Sequence, residues 1–210
     1  MKRTRKIAIG LVIYAAIVAT IIIFLNQAMA LDVELFFLIN SISNTYLDSF
    51  FLFITYTGSS IFWVIVIIFF WIEKKRKISA YLILAFLVDT VSQFLLKSFF
   101  VRPRPYENLP AKVLGFDIEL GSSFPSGHTQ RAFSGAVILG SFYKRLRIPL
   151  LLMAMLVMVS RVYVGVHYPL DTMAGMMNGI LIGMSLLNIP YKTIVKKLGS
   201  KHQKLVQLFY

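Results

Sequence analysis

Residues 57–98 read TGSSIFWVIVIIFFWIEKKRKISAYLILAFLVDTVSQFLLKS, two apolar runs on either side of the charged segment 73–77. An apolar run of about 20 residues is what a helix needs to cross the hydrocarbon core of a membrane. The backbone finds no water to bind in that core, so each run must form a helix. The stretch therefore predicts two transmembrane helices, at about 57–72 and 78–98, joined by a short basic turn.

The rest of the chain continues this alternation of apolar runs and polar segments. Further spans are predicted at about 7–25, 126–142, 148–164 and 169–188. Segment 26–56 is too interrupted to span and too apolar for a free loop, so we expect short interfacial helices there. Residues 100–124 are predicted to form a loop and 189–210 a basic tail. The predicted fold is all-α, a single membrane-embedded domain of six transmembrane helices.

The composition favours a protein that resides in lipid. Hydrophobic residues make up 58% of the chain, above the roughly 45–50% of soluble domains. The net charge of +13 would suit nucleic acid, but the charges lie in short runs between apolar stretches and no binding motif accompanies them. The absence of cysteine excludes disulfides, thiolate catalysis and cysteine-bound metals. We expect the bilayer, and no nucleic acid, as partner; the oligomeric state is left open.

The N-terminal segment allows two interpretations. A basic start followed by the apolar run 7–25 is typical of a signal peptide, and Ala28-Met29-Ala30 resembles a cleavage site. The run is longer than a usual signal core. We therefore expect a retained first helix.

The basic residues predict the orientation of the bundle. The N-terminus, segment 73–77, segment 143–147 and the tail carry four, four, three and five of the 22 Lys and Arg residues. Cytoplasmic loops of membrane proteins are enriched in Lys and Arg, so both termini are predicted to be cytoplasmic. The loops at 100–124 and 163–168 would then lie on the extracytoplasmic side of a cell membrane.

Three polar clusters fall at the outward ends of the predicted spans. They are Lys97 with Arg104-Pro105, then Pro125-Ser126-Gly127-His128, then Ser160-Arg161 with His167 and Asp171. A compact bundle would bring these ends together. Arginine matches phosphate oxygens with two parallel donors and lysine acts as a point charge, so Lys97, Arg104 and Arg161 are typical of an anion site.

The second cluster adds a helix start to this anion site. Pro125 suits the first position of a helix, since its missing N–H is not needed there. The backbone amides of Ser126, Gly127 and His128 would then point outward and bind a phosphate. Gly127 would let an anion approach the backbone closely.

The histidines supply the reactive groups. Asp171, four residues after His167, can orient one imidazole nitrogen and leave the other as a nucleophile. His128 is then available as the general acid that protonates the departing oxygen. We see no Asp, Glu or His cluster with metal-ligand spacing, so we expect neither a metal nor another cofactor.

The three clusters resemble the signature of the type-2 phosphatidic acid phosphatase superfamily. Its pattern is K-x6-RP, then PSGH, then SR-x5-H-x3-D, and this chain matches it at every position within about residues 50–188. The resemblance implies a six-helix bundle and a metal-independent mechanism through a phosphohistidine. It implies His167 as nucleophile, Asp171 as its orienter and His128 as acid. It also implies phosphate binding by Lys97, Arg104, Ser126, Gly127 and Arg161.

Three charged residues fall outside the pattern. Asp89 lies within a predicted span, where an ionisable group is costly. Either it holds Lys97 through a polar relay with Gln93, or it is a hydrogen-bonded packing residue, and we favour the second. Arg102 and Arg131 either bind a second phosphate, support the site, or lie on the surface without a role in catalysis; the sequence favours none of these.

The function expected from the sequence is hydrolysis of a lipid phosphate or diphosphate in the outer leaflet. A polyprenyl diphosphate carrier is the first candidate substrate, followed by phosphatidylglycerophosphate and phosphatidate. A lipid phosphotransferase is the alternative enzyme. A non-catalytic lipid-binding or channel protein would need neither His167 nor Asp171. The vanadium haloperoxidases share the phosphate pocket but are soluble proteins.

Overall fold

A computed structural model describes residues 25–42, 44–115 and 121–194. Every regular element in these ranges is helical. We number the helices from the first one described: α1 Leu25–Asn40, α2 Thr45–Tyr56, α3 Ser60–Ile72, α4 Arg76–Phe99, α5 Pro105–Asn108, α6 Gly127–Phe142, α7 Arg147–Tyr163 and α8 Pro169–Leu187. Of the predicted first span, 7–25, only Leu25 lies within the described residues. Most of the predicted tail, 189–210, also lies outside them.

Several helices have the length and apolarity of a membrane span. They are α4, α7 together with the short 3₁₀ turn Lys144–Leu146 before it, and α8. The pair α2 and α3 counts as a fourth candidate if it is one broken span. The described part of the chain is thus an all-helical bundle with three to four candidate spans.

The predicted span at 57–72 starts too early. The chain breaks between α2 and α3, whose axes differ by 54°. α3 begins at Ser60, where the Ser59 hydroxyl accepts a hydrogen bond from the Phe62 N–H at 3.2 Å. A Cβ on Gly58 would lie 2.7 Å from a Val157 methyl group and 3.0 Å from the His128 carbonyl oxygen. Glycine is therefore needed where the break packs against α6 and α7.

Helix α6 occupies the centre of the bundle. Its 16 residues span about 24 Å at 1.5 Å per residue, less than the roughly 30 Å hydrocarbon core. Most of its side chains are buried on all sides, and it packs against α4, α7 and α8. The predicted span at 126–142 is therefore a helix, but one enclosed by its neighbours.

A seam of glycines joins α8 to α6. A Cβ on Gly175 would lie 2.4 Å from the Ser126 carbonyl oxygen, and one on Gly179 would lie 2.2 Å from that of Gln130. One on Gly183 would lie 3.0 Å from the Ser134 carbonyl oxygen. The four-residue spacing of these glycines predicts close helix approach, and the structure confirms it. The seam places the first turns of α6 and α8 side by side.

Candidate active site

The turn between α7 and α8 positions Arg161 and His167. The Arg161 carbonyl oxygen accepts hydrogen bonds from the N–H groups of Val166 and His167, both at 3.3 Å. Gly165 adopts a φ of 84°, which closes the turn. A Cβ there would lie 2.2 Å from the Lys112 carbonyl oxygen, so the turn packs closely on the 109–114 segment. His167 is fully buried.

His167 and Asp171 face each other at the start of α8. The distance from His167 Nδ1 to Asp171 Oδ2 is 3.6 Å. The same Oδ2 accepts a hydrogen bond from the Tyr168 N–H at 2.9 Å, so the carboxylate also caps the helix. With Nδ1 towards Asp171, Nε2 lies on the opposite side of the imidazole ring. The pair has the orientation expected of a nucleophile and its orienting acid, with the contact longer than a hydrogen bond.

Arg102 binds the other oxygen of Asp171. Its NH1 donates to Asp171 Oδ1 at 2.6 Å, and its NH2 donates to Asp32 Oδ2 at 2.5 Å. The guanidinium carbon lies 4.0 Å from the centre of the Tyr168 ring. The sequence offered a second phosphate contact, a supporting role or a surface position for Arg102; in the structure its side chain joins Asp171 to Asp32.

Two arginines of the signature are buried around the same turn. Arg104 donates from Nε to the Gly121 carbonyl and from NH1 to the Val166 carbonyl, both at 3.1 Å. Arg161 donates from NH1 to the Thr55 hydroxyl at 2.7 Å. The loop before α6, helix α2 and the α7–α8 turn thus hold both guanidinium groups next to the segment that carries His167.

The start of α6 differs in part from the prediction. The helix begins at Gly127 with Ser126 as its N-cap, so Pro125 precedes the helix instead of occupying its first position. The Ser126 N–H donates to the Asp171 carbonyl oxygen at 2.9 Å, so the first of the three predicted phosphate-binding amides is used in the fold. A Cβ on Gly127 would lie 2.1 Å from Gln93 Oε1, so glycine is needed where the start of α6 packs against the Gln93 side chain.

The remaining predicted residues lie at the same end of the bundle or just below it. Lys97 is half-buried in the last turn of α4, and His128 is half-buried in the first turn of α6. Arg131 donates from Nε to the Gly58 carbonyl at 3.2 Å and from NH1 to Gln93 Oε1 at 3.4 Å. These contacts make Arg131 a support of the α2–α3 break.

Asp89 is buried between α4 and α6. It accepts hydrogen bonds from Gln130 Nε2 at 3.0 Å and from the Ser134 hydroxyl at 2.6 Å. Gln130 continues the network, because its Oε1 accepts from Asn178 Nδ2 on α8 at 2.8 Å. These contacts fit the interpretation of Asp89 as a hydrogen-bonded packing residue, since they join α4 to α6 and, through Gln130, to α8.

Helices α1 and α2 contribute residues to the site that no motif in the sequence marks. Asp32 binds Arg102, and Thr55 binds Arg161. Asn40 donates to the carbonyls of Lys112 and Tyr163 at 2.8 and 2.9 Å and so ties α1 to the turn after α7. The available signal was the spacing of Asp32 and Asn40, eight residues apart on one face of a largely apolar helix.

Comparisons with known proteins give one family match and several similar proteins. The sequence pattern of the PAP2 superfamily matches residues 77–194. The undecaprenyl-diphosphatase of Sulfolobus acidocaldarius is 33% identical over 175 residues, which cover 82% of this chain and 85% of that protein. The crystal structure of Aquifex aeolicus LpxE superimposes with a TM-score of 0.69 and 40% identity, covering 76% of this chain and 96% of that one.

A second crystal structure shares the fold over a longer stretch. It is the PAP2-type phosphatidylglycerolphosphate phosphatase of Bacillus subtilis, which superimposes with a TM-score of 0.73. It is 24% identical, and the match covers 92% of this chain and 97% of that one. The likeness therefore extends from the α4–α8 core to the helices before it.

Proposed function

Because this chain is a member of the PAP2 superfamily, we propose that it is a lipid phosphatase that hydrolyses a polyprenyl diphosphate in the membrane. The observation that carries the enzyme class is the buried His167 facing Asp171, with Arg104, Arg161 and the start of α6 around it. The polyprenyl diphosphate is suggested by the relative that is 33% identical, whose name gives that activity.

The first step we propose is attack of His167 Nε2 on the terminal phosphorus. The bond between that phosphorus and the bridging oxygen breaks as the N–P bond forms. His128 donates a proton to the bridging oxygen, which leaves on the polyprenyl monophosphate. Asp171 holds the imidazole and stabilises the positive charge that develops on it, as the buried acid does in a serine-protease triad.

Water completes the reaction. It attacks the phosphohistidine, loses a proton to His128, and releases inorganic phosphate, which restores the His167 imidazole. The equatorial oxygens of the transferred group carry negative charge in both steps. Lys97, Arg104 and Arg161 are the cations proposed to balance that charge, together with the Gly127 amide and the Ser126 residue that caps the same helix.

The proposed membrane arrangement follows the distribution of basic residues. Six spans cross the bilayer, the first being 7–25, and the α1 and α2 segment lies at the outer interface. Both termini and the tail 189–210 are cytoplasmic, and the site opens to the extracytoplasmic side. An outward site would suit a substrate that is delivered to the outer leaflet.

The function is tested by phosphate release from defined lipids. Purified protein in detergent is given farnesyl diphosphate, phosphatidylglycerophosphate or phosphatidate, each with excess chelator. We expect the diphosphate to turn over fastest, and His167→Ala to abolish release from all three. Faster turnover of phosphatidylglycerophosphate or phosphatidate would change the proposed substrate, and absence of release from all three would refute the function. Transfer of phosphate to an added lipid instead of water would identify a phosphotransferase.

A further inference from the structure

Helix α1 buries two polar side chains while it exposes several large apolar ones. Asp32 is 2% exposed and Asn40 is equally buried, while Leu31 and Leu38 are 57% and 68% exposed. Such a helix can face lipid with one side while its other side binds polar groups of the protein. Burial of a carboxylate is costly without a partner, so Asp32 needs a reason to lie there.

The partners of Asp32 are the supports of the His167–Asp171 pair. Its Oδ2 binds Arg102 at 2.5 Å, and its Oδ1 accepts from the Leu170 N–H in the first turn of α8 at 2.8 Å. Burial raises the pKa of Asp32 above its usual value, and the hydrogen bond and charge of Arg102 limit that rise. One carboxylate thus holds both the arginine and the helix start.

Arg102 is fixed on three sides. Asp32 binds one end of its guanidinium group, Asp171 binds the other, and the Tyr168 ring covers one face. A planar guanidinium held in this way leaves the Asp171 carboxylate little freedom to rotate. The Tyr168 N–H binds Asp171 Oδ2 and Arg102 binds Oδ1, so the two contacts together fix the orientation of the carboxylate towards His167.

We propose that Asp32 and Arg102 are positioning residues that aim the Asp171 carboxylate at His167 and set the charge next to the imidazole. The inference rests on the proposed function, in which His167 must be neutral to attack. Neither residue belongs to the signature of the three clusters. Helix α1 thereby becomes part of the catalytic apparatus, although it lies far from the signature in the sequence.

Because Asp32 and Arg102 carry opposite charges, we expect their removal to shift the pH–rate profile in opposite directions. The titratable and charged groups at this end of the bundle include Asp32 and Glu34 of α1, Asp48 of α2, Lys97 of α4, Arg102, Arg104, Tyr106 and Glu107 of α5, Lys112, His128 of α6, Arg161 and Tyr163 of α7, Tyr168, and Asp171 of α8. Arg102 places a positive charge directly on Asp171, and Asp32 places a negative charge on the other end of the same guanidinium group, so the two removals change the charge at the dyad in opposite senses. Removing Asp32 should therefore move the acidic limb of the pH–rate profile to lower pH, and removing Arg102 should move it to higher pH.

The test measures kcat and KM of the full-length protein against pH with farnesyl diphosphate. Asp32→Asn and Arg102→Gln should each lower kcat about 10- to 100-fold through misplacement of the dyad, with KM nearly unchanged. Their acidic limbs should move in opposite directions, and the double variant should return towards the native limb. Arg102→Lys should keep the acidic limb at its native pH but lower kcat, because lysine keeps the charge and cannot bind Asp32 and Asp171 at the same time in the native geometry.

Glu34→Gln is the matched control, since it removes the same charge from an exposed position on the same helix. It should retain the native kcat and pH profile. A lower kcat in the variants without opposite shifts of their acidic limbs would show a merely structural role and contradict the inference. Native kcat and a native pH profile in Asp32→Asn and Arg102→Lys would also refute it. If Arg102→Gln does not fold, the results for Arg102→Lys and Asp32→Asn still test the positioning role. An inactive wild-type protein would instead refute the proposed function, and the inference with it.

Discussion

Replacement of Gly175 by Ala tests whether the glycine seam sets the geometry of the site. The added Cβ would lie 2.4 Å from the Ser126 carbonyl oxygen, about 1 Å closer than the 3.4 Å at which ordinary contact begins. That oxygen belongs to the backbone and cannot move alone, so α8 must shift away from α6. The shift would stretch the 2.9 Å hydrogen bond from the Ser126 N–H to the Asp171 carbonyl.

We expect Gly175→Ala to change kcat more than KM. Misplacement of about 1 Å between reacting groups can cost about 100-fold in rate. We therefore expect Gly175→Ala to lower kcat about 100-fold. Overpacking of about 1–3 kcal/mol should also lower the unfolding temperature. The assay is phosphate release from farnesyl diphosphate, with thermal unfolding of the same preparation to confirm that the protein is folded.

Gly183→Ala provides the control on the same helix. Its Cβ would lie 2.9 Å from the Val137 side chain and 3.0 Å from the Ser134 carbonyl, two turns further from His167. It should destabilise the fold with less than about a threefold change in kcat, since the strain lies away from the first turns. A folded Gly175→Ala protein with native kcat would refute the view that this seam positions the dyad.

Three further outcomes are expected from the same account. Activity should persist in excess chelator and be inhibited by vanadate, because the cations and the α6 start supply the charge stabilisation; loss in chelator restored by magnesium would contradict this. Arg161→Lys should lower kcat/KM at least about 100-fold, because it removes the planar fork that binds the Thr55 hydroxyl and is proposed to bind phosphate. Thr55→Val should lower kcat/KM by about 10-fold or less, and the reverse order would argue against phosphate contact. A single cysteine at Asn108 should react with an impermeant thiol reagent in intact cells, and one at Lys75 only after lysis; the opposite labelling would overturn the proposed orientation.

Much of the fold could be predicted because lipid allows few alternatives. Apolar runs of sufficient length must be helices, so α4, α7 and α8 lie within two residues of the predicted spans. The break before α3 was missed because the sequence is apolar on both sides of Thr57-Gly58-Ser59. Only packing against His128 and Val157 explains why the chain turns there.

The site was predictable where chemistry and local spacing coincide. His167 immediately precedes Tyr168, the N-cap of α8, and Asp171 lies in the first turn of that helix, so their approach follows from the local geometry of the helix start. The contact between Asp32 and Arg102 joins residues 70 positions apart, and no periodicity indicates it. The Gln93 side chain against Gly127 was missed for the same reason, because two helices must first be packed.

The most direct test of the central claim is capture of the phosphohistidine at His167. Protein is mixed with labelled farnesyl diphosphate and quenched, and acid-labile, base-stable phosphate on the protein is counted alongside product release. His128→Ala should lose activity on phosphatidate, whose lipid alkoxide leaves only with a proton, but keep a substantial fraction on an aryl phosphate, whose phenolate leaves without one. His167→Ala should fail on both substrates and carry no label, while His202→Ala, outside the signature, should behave as wild type. Label on the His167→Ala protein, or equal loss on both substrates in His128→Ala, would contradict the roles proposed for the two histidines.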